Sequence, residues 1–228
     1  MKTRRRLWGA ELDGRGGVHF RVYAPARKTV DVVLGDGAGA RAVAMTPEEG
    51  APGTWSVTVA DLGAGARYRF RLAGEDALLA DPASRAQPDG PLGASEVIDP
   101  RFHWTDADFA GIPRHGRVLY ELHVGTFTAE GTFEAARARL PDLADLGVTV
   151  IELMPLAAFA GERGWGYDGV FWFAPHHAYG RPDDVRRFVD DAHRLGLGVI
   201  LDVVYNHMGG IGNVLPRFSP AYHGTAQT

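Results

Sequence analysis

The sequence contains no cysteine. That excludes disulfides, thiolate metal sites and a cysteine nucleophile, and it fits a reducing compartment. No apolar stretch approaches the length of a membrane span, and no signal-peptide core follows the basic start, so a cytoplasmic protein is expected. A surplus of one charge is missing as well: 24 Lys and Arg stand against 28 Asp and Glu, a net charge of −4. With the basic residues dispersed, neither nucleic acid nor a membrane surface is an expected partner. The one basic run, Lys2 to Arg6, reads as a solvated terminus. What is plentiful is glycine (30) and proline (14), which suits a chain with many turns.

Two textures follow one another. Between Gly17 and Leu72 short apolar runs alternate with polar residues: Val18, Phe20 and Val22 against His19, Arg21 and Tyr23, then Val30–Leu34, Ala42–Met45, Trp55–Val59 and Tyr68–Leu72. Gly-rich turns separate them. The pattern predicts an immunoglobulin-like β-sandwich over residues 1–85. Residues 86–117 lack periodicity and contain several prolines; they are expected to be a linker on the surface that docks through Phe102 and Trp104.

The second texture occupies residues 118–228. VLYELHV, VTVIELMP and GVILDVV read as strands. Between the first two, Phe133, Ala136, Leu140, Leu143 and Leu146 recur at helical spacing, with Thr132 as N-cap, Gly147 as stop and Pro141 opening the second half. Val185, Phe188, Val189, Ala192 and Leu195 mark a second helix, which Pro182, Asp183 and Asp184 suit at its positive end. Strand, helix, strand, helix, strand is the order of a parallel sheet, and apolar strands suit burial on both faces. No Gly-rich phosphate turn follows the first strand, whereas the loops after the strands are long and rich in aromatic and ionisable residues. That favours a (β/α)8 barrel over a doubly wound sheet. Such a barrel takes about 250 residues, and about 110 follow Arg117, so about three of its eight strands fit, and the segment is expected to be either a smaller α/β domain or a barrel cut short.

The candidate site residues lie just past the strands. Asp202 closes the third strand and His207 sits beyond it; the first can accept hydrogen bonds from sugar hydroxyls, the second can donate them. Trp165, Tyr167 and Asp168 lie in a loop flexed by glycines, where rings suit the apolar face of a sugar and a carboxylate suits its hydroxyl rim. Phe171, Trp172 and Phe173 are expected to pack that loop. Glu152 reads as a paired internal carboxylate, and His123 equally as a site residue or a structural histidine. No metal and no cofactor are expected: His176 and His177 lack a further ligand at useful spacing, and Asn206 offers a single carbonyl.

These segments resemble the α-amylase family of glycoside hydrolases. DVVYNH is similar to the family's first signature region and GWGYDGVFWFAPHHAYG to its loop after the second barrel strand. YELHVGTFTAEGTF and GVTVIELMPLAAFAGERGWGYDG resemble, more narrowly, a trehalose-releasing subgroup. LWGAELDGRGGVHFRVYAPARKTVDVVL resembles the module that precedes the barrel there and in branching and debranching enzymes; a branching enzyme more typically carries Gln where Asp168 stands. The resemblance implies hydrolysis of the α-1,4-glucosidic bond that frees trehalose from maltooligosyltrehalose, a substrate supplied by a maltooligosyltrehalose synthase. It implies that Asp202, His207 and Tyr167 hold the sugar whose bond is cut. It implies retaining chemistry by carboxylates, which in the family follow the fourth, fifth and seventh strands and are expected beyond Thr228. The 228-residue chain alone is therefore expected to be inactive. The competing expectations are a branching or debranching enzyme and a non-catalytic glucan-binding module presenting Trp8, Tyr23 or Trp55.

Overall fold

A computed structural model describes residues 6–222, so Lys2–Arg5 of the basic run and Thr228 lie outside the described residues. The chain packs as two compact units, one formed by residues 6–99 with 211–222 and the other by residues 100–210.

The first unit is built from β1 (Gly9–Leu12), β2 (Gly17–Tyr23), β3 (Val30–Leu34), β4 (Arg41–Ala44), β5 (Thr46–Pro47), β6 (Thr54–Ala60), β7 (Arg67–Leu72) and β8 (Ser95–Glu96). They form two four-stranded sheets, ordered β1-β2-β6-β5 and β4-β3-β7-β8, with every pairing antiparallel. The period-2 alternation works as read: Val18, Phe20 and Val22 are buried, as are Val30, Val32, Tyr68, Phe70 and Leu72. Phe20 of one sheet meets Tyr68 of the other edge-on at 4.9 Å. Trp55 lies in this core and donates through Nε1 to the Ala24 carbonyl. The short strands β1, β5 and β8 carry no alternation long enough to read.

The first part of the surface linker expected over residues 86–117 is buried, while most of residues 100–117 is exposed and without regular structure. Ala86, Gln87, Ala94, Ser95, Glu96 and Val97 are buried in the first unit. A hydrogen-bonded network holds them: Tyr68 donates to Asp81 at 2.6 Å, and both the Asp81 N–H and Gln87 Nε2 donate to Ser95 Oγ. Burial, with Asp81 beside it, pushes the Tyr68 phenol pKa up. Periodicity missed this segment because polar bonds, not an apolar stripe, bury it. Residues 102–109 dock on the second unit, again through polar groups. Thr105 gives its N–H and hydroxyl to Asp190, each at 2.7 Å, while Asp106 and Phe109 engage His193. Phe102 and Trp104 contact each other, and Trp104 stays exposed.

The second unit opens with β9 (Leu119–Leu122), α1 (Val124–Phe127), α2 (Phe133–Ala138), α3 (Leu140–Asp145) and β10 (Val150–Leu153). It continues with a hairpin of β11 (Ala157–Ala158) and β12 (Phe171–Pro175), then α4 (Pro182–Arg194) and β13 (Gly198–Leu201). The three-stranded sheet is parallel, ordered β13-β10-β9. Thr132 caps α2 by accepting from the Ala135 N–H. Pro141 stands in the first turn of α3, and Gly147, at φ +91°, follows its end. The core combines Leu122, Ile151 and Leu153 of the sheet with Phe133, Leu140, Phe188 and Ala192 of the helices. Leu146 and Leu195, expected on the buried faces, are exposed because each follows the last helical residue. Burial on both faces holds best for β10; in the outer strands Leu119, Ile200 and Leu201 are about half exposed. After β13 the chain returns to the first unit, where α5 (Leu215–Phe218) sets Phe218 edge-on against Phe70 and pairs Arg217 with Glu75.

Candidate functional site

The register of the parallel sheet puts Leu201 beside Leu153, and the N–H of Asp202 donates to the Leu153 carbonyl at 2.9 Å. Asp202 thus sits at the carboxyl end of the sheet, half-buried, with Tyr205, Asn206 and His207 exposed beyond it. The loop following β10 arrives at the same end. Gly166 has φ +91°, and a Cβ there would lie 2.4 Å from the Pro155 carbonyl oxygen, so only glycine lets the loop fold back so closely. That fold leaves Trp165, Tyr167 and Asp168 exposed.

A backbone contact joins the two loops. The N–H of Gly209 approaches the Gly169 carbonyl at 3.4 Å, and a Cβ on Gly209 would lie 2.3 Å from the Asp168 carbonyl oxygen. Trp172 meets Tyr205 edge-on at 5.7 Å. The loop bearing Tyr167 and Asp168 and the loop bearing His207 therefore lie side by side. Among the described residues, no hydrogen bond or ion pair engages the side chains of Tyr167, Asp168, Asp202 or His207, which leaves their polar atoms available to a ligand. A cavity of about 270 Å³ adjoins this end of the sheet, lined by Asp202, Leu201, Trp172, Phe173, Tyr205 and Arg186 among others. Trp165, Tyr167, Asp168 and His207 are not part of its lining.

The remaining candidates sort differently. Glu152 faces Glu121 in register and has no ion-pair partner among the described residues, so it is not the paired carboxylate expected. His123 is structural in its contacts: Nε2 lies 2.8 Å from the Gly164 carbonyl and 3.1 Å from the Tyr179 hydroxyl. His176 is fully buried and stacks on Phe159 at 3.7 Å. Burial, reinforced by neighbouring His177, pulls its pKa down to about 4, so it is held neutral. Among the described residues no three His, Asp or Glu are grouped to hold a metal ion. Of the aromatic run expected to pack the loop, Phe171 is buried, whereas Trp172 and Phe173 are exposed. The sequence reading passed over Gly209 and Tyr179; the Gly209–Gly210 doublet was the available signal for a close approach.

Residues 97–215 match the family model of the alpha amylase catalytic domain, and residues 7–84 match carbohydrate-binding module 48, the isoamylase N-terminal domain. The chain belongs to the alpha-amylase family. Within it, the chain is similar to a malto-oligosyltrehalose trehalohydrolase of Deinococcus radiodurans, at 50% identity over 96% of this chain and 35% of the relative. A 1,4-alpha-glucan branching enzyme of Mesorhizobium japonicum is 37% identical over 86% of this chain and 29% of its own length. A Salmonella typhimurium crystal structure, provisionally assigned as an alpha amylase, superposes with a TM-score of 0.90 at 46% identity, covering 98% of this chain and 37% of that one. The chain spans about a third of the length of the curated relatives it matches. No described helix is long and apolar enough to cross a membrane.

Proposed function

We propose that this chain is part of a cytoplasmic glycoside hydrolase that cleaves the α-1,4-glucosidic bond releasing trehalose from maltooligosyltrehalose. The observation that carries the reading is the pairing of two loops, through Gly209 and Asp168, at the carboxyl end of a parallel sheet in a chain of this family. Tyr167 and Trp165 stack on the apolar faces of sugar rings, Asp168 and Asp202 accept hydrogen bonds from hydroxyls, and His207 donates one. The 50% identity to a named trehalohydrolase, against 37% to a branching enzyme, supports this substrate over a branched glucan.

Residues 1–85 act as an immunoglobulin-like sandwich module, and residues 118–228 contribute the opening βα units of a (β/α)8 barrel. In this reading β9, β10 and β13 are the first of its strands. The half-exposed Ile200 and Leu201 on β13, and the cavity beside them, support continuation of the sheet. The nucleophile and the general acid of the retaining reaction belong to later strands. A maltooligosyltrehalose synthase supplies the substrate, and neither nucleic acid nor membrane takes part. Against a glucan-binding module built on surface aromatics stands the packing of its candidates: Trp55 is core, and Trp8 packs on Tyr23.

The test is a product assay. The whole protein incubated with maltooligosyltrehalose releases free trehalose, and residues 1–228 alone release none. Active whole protein that transfers or debranches glucan without freeing trehalose overturns the reading in favour of a branching or debranching enzyme. Turnover by residues 1–228 overturns the assignment of the carboxylates to later strands.

A further inference from the structure

Trp165 and Tyr167 stand on an exposed loop, and neither side chain makes a hydrogen bond among the described residues. An exposed aromatic on a wandering loop binds poorly, because binding must first order it. Something has to hold the backbone on which the two rings stand. The carbonyl of Gly164 is where this happens. His123, at the end of β9, reaches it through Nε2 at 2.8 Å, and the Tyr179 hydroxyl approaches it at 3.4 Å. The same hydroxyl lies 3.1 Å from His123 Nε2, which closes a three-membered polar cluster. Thr126 Oγ1 lies 3.2 Å from His123 Nδ1. With the Thr126 hydroxyl donating there, the imidazole hydrogen is on Nε2 and points its bond at Gly164.

Two glycines make this grip possible. A Cβ on Gly125 would lie 2.8 Å from Tyr179 Cε1 and 3.0 Å from His123 Cε1, so only a bare backbone lets both rings close in. A Cβ on Gly164 would lie 2.9 Å from Phe159 Cε2, so the Phe159 ring supports Gly164 directly.

We propose that His123 and Tyr179 are positioning residues, gripping the Gly164 carbonyl so that Trp165 and Tyr167 are held ready as a sugar-facing surface. The proposal rests on the reading of Trp165 and Tyr167 as sugar-binding residues. It makes two loci outside the sugar contacts determinants of affinity.

The experiment compares His123→Ala, Tyr179→Phe and His123→Gln in the 228-residue chain. Tyr179→Phe keeps the ring and removes only the hydroxyl; the glutamine amide keeps a donor in the place of Nε2. Amide hydrogen exchange over residues 162–168 is expected to rise about tenfold in His123→Ala and severalfold in Tyr179→Phe, with α4 unchanged and His123→Gln close to wild type. Unchanged exchange at 162–168, or an equal rise throughout α4, overturns the clamp. Calorimetric titration with maltooligosyltrehalose then reads the consequence: about tenfold weaker binding by His123→Ala, restored by His123→Gln. Equal binding by wild type and His123→Ala overturns the positioning role. If the wild-type chain binds no glucan while the exchange responds as expected, the clamp stands and the sugar-binding reading of Trp165 and Tyr167 is what fails.

Discussion

At the scale of single residues, burial decides more than residue type. His176 carries a titratable ring into a fully buried stack on Phe159, and its pKa falls from 6.5 to about 4. The folded state therefore resists a proton that the unfolded chain accepts below pH 6.5. Stability falls as pH drops from about 6.5 towards 4, by on the order of 3 kcal/mol from this residue, and this contribution changes no further below that window. Urea unfolding of wild type and His176→Leu across this range measures it. The stability difference between the two shifts by that amount as pH falls; a difference independent of pH refutes the assignment. Tyr68 and Asp81 show the opposite use of burial, where a hydrogen bond of 2.6 Å compensates two polar groups deep in a core. Neither environment can be read from the residue names, since both depend on partners far along the chain.

At the scale of elements, strands and helices were the legible part. Val18, Phe20 and Val22 gave their strand away by alternation, and Thr132, Pro141 and Gly147 marked the ends of α2 and α3. The carboxyl end of β13 located Asp202 and His207 for the same reason: an apolar run that stops in polar side chains has one end. What stayed illegible were contacts made by backbone, such as Gly209 against Asp168, and the burial of residues 86–97, which no apolar period announces. Loop shape at the site rests on similar contacts, and Gly166 tests it. Its φ of +91° and the Pro155 carbonyl oxygen 2.4 Å from where a Cβ would stand make Gly166→Ala costly, about 2–3 kcal/mol. Gly161→Ala is the control, since Gly161 has φ +84° but no neighbour within 4 Å, and should cost about 1 kcal/mol. Thermal unfolding of both variants measures the gap; equal losses would show that the Pro155 contact yields without cost.

At the scale of the whole molecule, the notable property is unfinished apolar surface. Leu119, Ile200 and Leu201 are about half exposed on the two outer strands of the parallel sheet, and among the described residues β13 pairs with β10 alone. Such an edge pairs with other chains. The 228-residue chain is expected to self-associate as its concentration rises, and Ile200→Lys to reduce this severalfold by light scattering. Scattering unchanged by the lysine would place the association elsewhere. A different consequence follows from α5. Phe218 and Arg217 complete the packing of a unit whose strands end at Glu96, so the ribosome delivers the last piece of that unit long after the first. At about 5–20 residues per second the wait is on the order of ten seconds. Throughout it Phe70 and Glu75 have only their early partners, Tyr68 and Arg27, so the first unit reaches its final packing only after the strands of the second have been made.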